Sequence, residues 1–420
     1  MWFARRGFFF IFVALLPALG CSGGSGSGVT TPIPPVAAQQ PNAAIDFSAR
    51  NQTIEGFGGS SAWISDFTSA EADTLFGTGA GQLGLSILRV RIDPGGQANW
   101  GTERNNAQLA SARGARVIAT PWTPPASMKS NDNIVGGQLN PSSYGAYAAY
   151  LESFVQYMQS GGVGLYAISM QNEPDAQVTY ESCTWTGAQI DTWVAQDAGM
   201  LTTRLYMPES QSFNTAYSDP TLSDPAAVGN VAIVAGHIYG VSPQPYPAAT
   251  AAGKELWMTE HYLTATGIAG ALALAEEVHA GLTTAGYSAY LWWWIDEYSA
   301  GNYSYGLVDT NHNPTLNGDA LAQFSRFIRP GYQRVNVTES ASASVLVSAY
   351  AGNGHLVIVA INPGTESATQ PFTLAGATVI SLTPWQTSAT EDIAQLAAVS
   401  ISSGQFTATL PAQSITTFVQ

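Results

Sequence analysis

Between residues 55 and 294, short apolar runs of strand character alternate with longer stretches of helical periodicity, and this alternation constrains the fold more than any other feature. The strand candidates are residues 55–58, 87–92, 116–120, 165–170, 205–207, 231–237, 256–259 and 289–294. Between them lie segments such as 144–158, 190–204 and 268–285, with apolar residues recurring three and four positions apart. Strands linked through helices pair in parallel, because a tight turn cannot return the chain to the same end of the sheet. Eight such units predict an α/β protein built as a (β/α)8 barrel. A doubly wound open sheet is the alternative. Against it, Gly56-Phe57-Gly58-Gly59 after the first run lacks the spacing of a phosphate loop and reads as a tight strand exit.

After a last helical stretch at 318–328 the pattern changes. Arg329-Pro330-Gly331 stops the helix, and strand candidates follow at 344–350, 355–362, 370–374, 378–383, 406–410 and 414–419. Residues 330–420 therefore predict a side β-sandwich domain fused to a barrel over 42–329, with 42–53 adding a strand to the side domain. The only tryptophan of that domain, Trp385, is expected to pack against the barrel.

The N-terminus reads as an address. Arg5 and Arg6 precede an apolar run too short for a comfortable membrane span, and Ala18-Leu19-Gly20-Cys21 resembles a lipoprotein processing site. Residues 1–21 are thus expected to be a signal peptide with Cys21 lipidated. An ordinary secretory signal is the alternative. Residues 22–41, rich in Gly and Ser and then in Pro, read as a tether. The expectation is an exported envelope lipoprotein or a secreted protein, monomeric, touching a membrane only through the lipid. Cys183 is the only other cysteine, so no internal disulfide is available once Cys21 is modified, and Cys183 reads as a packed thiol.

Charged residues are only 10% of the chain, with 29 acidic against 14 basic side chains, a balance that disfavours nucleic acid as a partner. Eleven Trp, 18 Tyr and 16 Phe in so weakly charged a protein suggest aromatic platforms on the surface, of the kind that stack on the apolar faces of sugar rings. In a (β/α)8 barrel, chemistry sits at the C-terminal ends of the strands. There the fourth run ends in Gln171-Asn172-Glu173-Pro174 and the seventh in Thr259-Glu260-His261-Tyr262. Two carboxylates from facing strands, about 5–5.5 Å apart, suit retaining glycoside hydrolysis. Asn172 is placed to donate to a sugar 2-hydroxyl. Either Arg89 or Arg91, on one face of the second strand, is placed to reach a barrel carboxylate. His237 and Tyr239 close the sixth strand as hydrogen-bonding mouth residues, and no metal cluster is legible.

QNEPD followed by VTYESCTW, WMTEHY, GLSILRVRIDP, TPWTPPASMK and FSRFIRPGYQRV together resemble glycoside hydrolase family 30, in its bacterial glucuronoxylanase-like branch. The resemblance runs from about residue 44 to the C-terminus and implies a retaining barrel enzyme with a side β-domain, acting on β-1,4-xylan without a cofactor. It implies Glu173 as acid/base and Glu260 as nucleophile. Trp122 then borders a xylose subsite and Tyr262 helps hold a glucuronate substituent. Trp63, Trp293, Trp294 and Tyr305 join the expected substrate-binding residues. One departure stands out: where the branch carries WWYIRR, with an arginine that grips the glucuronate, this chain reads WWWIDEYSAGNYSYG. Asp296 and Glu297 occupy the arginine positions, where an acid would repel a uronate. The expectation is a xylanase that does not require glucuronate. Other activities of the family remain as alternatives: xylobiohydrolase, β-1,6-glucanase or glucosylceramidase-like cleavage. A non-catalytic carbohydrate-binding lipoprotein is a further one.

Overall fold

A computed structural model describes residues 37–296, 305–338 and 343–420. The leader, Cys21 and most of the tether lie outside the described residues, as does Glu297. No helix among the described residues is long and apolar enough to cross a membrane.

Eight parallel strands close into a barrel, numbered here β1 (Gly56–Ser60), β2 (Ile87–Ile92), β3 (Arg116–Pro121), β4 (Leu165–Ser169), β5 (Arg204–Ser210), β6 (Val231–His237), β7 (Glu255–His261) and β8 (Ala289–Trp294). The first predicted run, 55–58, is β1, and the strand continues through Gly59 and Ser60, where a tight exit was expected. A Cβ on Gly58 would lie 2.0 Å from the carbonyl oxygen of Ile87, so only glycine lets β1 approach β2 this closely. Ile87, Ile118, Ala167, Tyr206, Ile233, Ala235, Trp257, Ala289 and Leu291 meet in one cluster contributed by seven of the strands. That cluster is the packed barrel interior.

One predicted helix ends earlier than expected: residues 190–204 resolve into the helix Gly187–Gln196, and Arg204 already opens β5. Residues 268–285 are helical as expected, with the α-helix Gly267–Ala280 widening into a π turn over Gly281–Ala285.

The strand Ala43–Ile54 leaves the barrel and joins the side domain, pairing antiparallel with Tyr332–Thr338 and parallel with Ala368–Ala375. Tyr332–Thr338 was not anticipated from sequence. The tether is also shorter than read: Ala38–Gln39 pairs with Ala368 and Thr369, and the Gln40 side chain accepts hydrogen bonds from Ser344. The side-domain strands form one continuous hydrogen-bonded sheet. It curls so that Phe372 and Phe406 stack at 4.5 Å and both meet Phe418, although four strands separate Phe372 from Phe418 in the pairing order. The two layers of the expected sandwich are thus made from one sheet. Its other face turns Val357, Val359, Ile361 and Ile415 into the barrel's hydrophobic cluster. Trp385 packs on Phe327 and under the Arg326 guanidinium, against the last barrel helix, as expected.

Candidate active site

Alternation along the strands explains which side chains reach the barrel mouth. Arg89 lies two residues beyond Ile87, and His237 two beyond Ala235, so both follow an inward-facing residue onto the same face. Irregularities do the rest. Between β6 and β7 the register slips, with Gly236 opposite Met258 but His237 opposite Glu260. The slip brings Glu260 to the position simple alternation would give to Thr259. A second slip between β5 and β6 skips Glu209, whose φ is +56°.

Glu173 was expected to close β4. The strand in fact ends at Ser169, and Glu173 stands on the connection beyond it in a left-handed conformation, φ +44°. Its backbone is nevertheless pinned: Glu173 N–H donates to the carbonyl of Glu209 at 3.0 Å, and Asn172 N–H to that of Pro121 at 2.8 Å. A non-glycine residue persists in such a conformation only where its surroundings fix it.

These elements bring five ionisable groups together. Carboxylate oxygens of Glu173 and Glu260 and a ring nitrogen of His237 lie within 4.8 Å of one another. Arg89, fully buried, donates to Glu260 Oε2 at 2.7 Å, to Glu209 Oε1 at 3.0 Å, to Asn172 Oδ1 at 2.6 Å and to Thr120 at 3.0 Å. Its guanidinium also lies 4.6 Å from the centre of the Trp122 ring. Tyr239 O–H donates to Glu260 Oε1 at 3.0 Å. Glu173 Oε1 is 3.0 Å from His237 Nδ1, and its Oε2 accepts from Tyr180 O–H at 3.3 Å and, weakly, from the Gln211 amide at 3.5 Å.

His237 was read as a mouth residue that touches substrate; it is wholly buried behind the carboxylates, where no sugar reaches it. Burial alone would push its pKa down, but the charges of Glu260, Glu173 and Glu209 overcome this and hold it up at about 9, so it is a cation at neutral pH. Burial pushes Glu209 up, yet Arg89 and His237 pull it down to about 2. For Glu260, burial and the charge of Glu173 raise the carboxyl against the pull of His237 and Arg89. Arg91, the other candidate arginine, points to the rim, where its Nε donates to Glu181 at 2.9 Å and it pairs with Asp93.

Above the carboxylates opens a cleft of about 580 Å³. Trp63, Trp122, Trp293, Trp294, Tyr239, Tyr262 and Tyr305 all line it. Trp63 packs edge-on against Trp122 at 5.0 Å and remains 40% exposed, while Tyr262 stacks on Tyr305 at 5.6 Å. Asn172 lies behind this surface, with its Oδ1 accepting from Arg89. Tyr180, Gln211 and Trp292 line the cleft without having been anticipated.

Asp296 departs from expectation. It is buried and faces Glu71 and His312, and it is not among the lining residues, so it is not placed to repel a bound uronate. Among the described residues that line the cleft there is no Arg or Lys, and the sequence holds neither between Lys254 and Arg326.

No family model matches the chain. The glucuronoxylanase XynC of Bacillus subtilis is 39% identical over 394 residues, covering 90% of this chain and 91% of its own. The glycoside hydrolase family 30 subfamily 8 xylanase Xyn30A from Clostridium acetobutylicum has the same fold at a TM-score of 0.85 and 45% identity, over 90% of this chain and 99% of that one. The GH30 endoxylanase from Clostridium papyrosolvens C71 gives 0.83 and 38% over the same shares.

Proposed function

The chain belongs to glycoside hydrolase family 30, and from that premise we propose that it is a retaining endo-1,4-β-xylanase that does not depend on glucuronate side chains. The observation that carries the chemistry is the spacing of the two carboxylates, with oxygens of Glu173 and Glu260 within 4.8 Å. Carboxyl groups about 5–5.5 Å apart leave room for one sugar carbon and direct attack, whereas inverting pairs stand about 6.5–9.5 Å apart to admit a water.

In the first step Glu260 attacks the anomeric carbon while Glu173 gives a proton to the departing glycosidic oxygen. In the second, Glu173 takes a proton from water, whose oxygen displaces Glu260 from the same carbon. The buried charges favour this division of roles. Arg89 and His237 are cations facing three carboxyl groups, so one proton makes the cluster neutral. Glu209 is held ionised, and Glu260 receives the direct bond from Arg89, a permanent cation. Acid catalysis of the first step requires that proton on Glu173. Once Glu260 is esterified its charge is gone, which favours Glu173 as the base of the second step. Asn172, fixed by Arg89, is positioned to donate to the sugar 2-hydroxyl.

What supports glucuronate independence is that no Arg or Lys is among the described residues lining the cleft. A site that grips a uronate through a bidentate arginine should lose about 10²-fold or more on an undecorated chain. Linear, arabinose-bearing and glucuronate-bearing xylans are expected to be cut at rates of the same order, giving a ladder of products when separated chromatographically. Cleavage only at a fixed distance from each uronate would overturn this reading, and so would turnover of β-1,6-glucan without turnover of xylan.

A further inference from the structure

Outside the cleft lining, the buried Glu71 and Asp296 and the half-buried His312 form a second group of metal-ligating side chains. They come from the first turn of the helix Ser69–Phe76, the residue two beyond β8, and the connection before the helix Leu316–Ser325. One ligating atom of each lies within 4.8 Å of the other two, and His312 Nδ1 is 3.7 Å from both Glu71 Oε1 and Asp296 Oδ2. Glu71 and Asp296 are 4% and 1% exposed.

The capping role of Glu71 explains only half of its carboxylate. Its Oε2 accepts from the backbone N–H of Thr68 and closes the capping box of the helix. Its Oε1 is buried, has no hydrogen-bond partner, and is the oxygen that faces His312. An unsatisfied buried carboxylate oxygen beside a second acid is costly unless something positive sits there. Burial first, and then Asp296, push the Glu71 carboxyl up to about 7.

We propose that Glu71 Oε1, Asp296 Oδ2 and His312 Nδ1 hold a transition-metal dication, for which Zn²⁺ is the probe. Two ligand atoms at about 2.1 Å from a tetrahedral ion stand about 3.4 Å apart, close to the observed separations. Two carboxylates balance a dication, and the imidazole nitrogen selects Zn²⁺-like ions over Ca²⁺ or Mg²⁺. Asp296 and His312 bracket the connection that carries Tyr305 and Gly306 into the cleft wall, so the ion braces that wall against the first helix. The role is structural; the cleft chemistry does not pass through it.

The test is calorimetric titration of the chelator-treated full-length protein with Zn²⁺, together with thermal melting and metal analysis. Wild type is expected to bind one equivalent, and to gain about 3 °C in Tm at 100 times Kd. Glu71→Gln and His312→Ala are each expected to lose both effects. His312 is 32% exposed, so its variant remains informative should the buried Glu71→Gln fail to fold. Three results would overturn the site. One is the absence of saturable Zn²⁺ binding. A second is binding unchanged in both variants, which would point to His237 with Glu173 and Glu260. The third is a Glu71→Gln protein that melts higher with no response of wild type to Zn²⁺, as expected if the two acids merely share a proton.

Discussion

Glu260→Ala is expected to lower kcat/KM on xylan on the order of 10⁴-fold or more, with little change in KM, because the variant loses the atom that forms the covalent intermediate. The carboxylate it removes is held from two sides, by Arg89 at 2.7 Å and by Tyr239 at 3.0 Å. Azide can occupy the space left by the side chain, and with an activated aryl xyloside it is expected to restore turnover and give the α-glycosyl azide. Glu173→Ala should behave differently. It slows xylan, whose leaving oxygen needs a proton, far more than an aryl xyloside whose leaving group does not. Matching losses on both substrates in both variants would contradict the separate roles. Steady-state kinetics with the two substrates decide it.

Arg89→Met is expected to destabilise the fold by about 3–5 kcal/mol, because it leaves two buried carboxylates without their cation. The side chain is fully committed: Thr120, Asn172, Glu209 and Glu260 all accept from it, and Trp122 covers its face. The cost is of charge left unpaired rather than of volume lost, so the double variant Arg89→Met/Glu209→Gln should recover part of it. Urea unfolding of wild type, the single variant and the double variant measures the coupling. A single variant as stable as wild type would show that His237 alone neutralises the cluster. Activity should fall in both variants, since Glu260 and Asn172 lose the group that orients them.

Much of the architecture is legible in the sequence because it depends on local pattern. The alternation of apolar runs with helical stretches marks all eight barrel strands, and Glu173 and Glu260 stand out by following two of them. Glu209 was missed for a specific reason. The fifth run, Leu205-Tyr206-Met207, meets Pro208, and a proline in a strand pattern argues for its end. The strand continues to Ser210, and Glu209 enters the mouth through an irregularity that periodicity does not encode. Its signal was available only as an acid just beyond a barrel run, the same signal that singled out the other two.

Depth was equally hidden. His237 and Asn172 read as mouth residues because they end strands or connections, yet neighbouring side chains cover them, and such cover comes from residues distant in sequence. Asp296 is the clearest example. Position alone suggested a group facing substrate, but it is buried beside His312 at 3.7 Å and beside Glu71 from the far end of the barrel sequence. In the side domain, Tyr332–Thr338 escaped notice because it follows Arg329-Pro330-Gly331 directly and its register is set by Ala43–Ile54, from the other end of the chain.

The proposal that Glu173 and Glu260 work as a double-displacement pair is tested most directly by the anomeric configuration of the first sugar released, followed by proton NMR within minutes of adding enzyme to xylohexaose. The β-anomer appearing first, then relaxing to the equilibrium mixture, is the predicted result. Initial release of the α-anomer would mean that water attacks directly and that Glu260 is not the nucleophile.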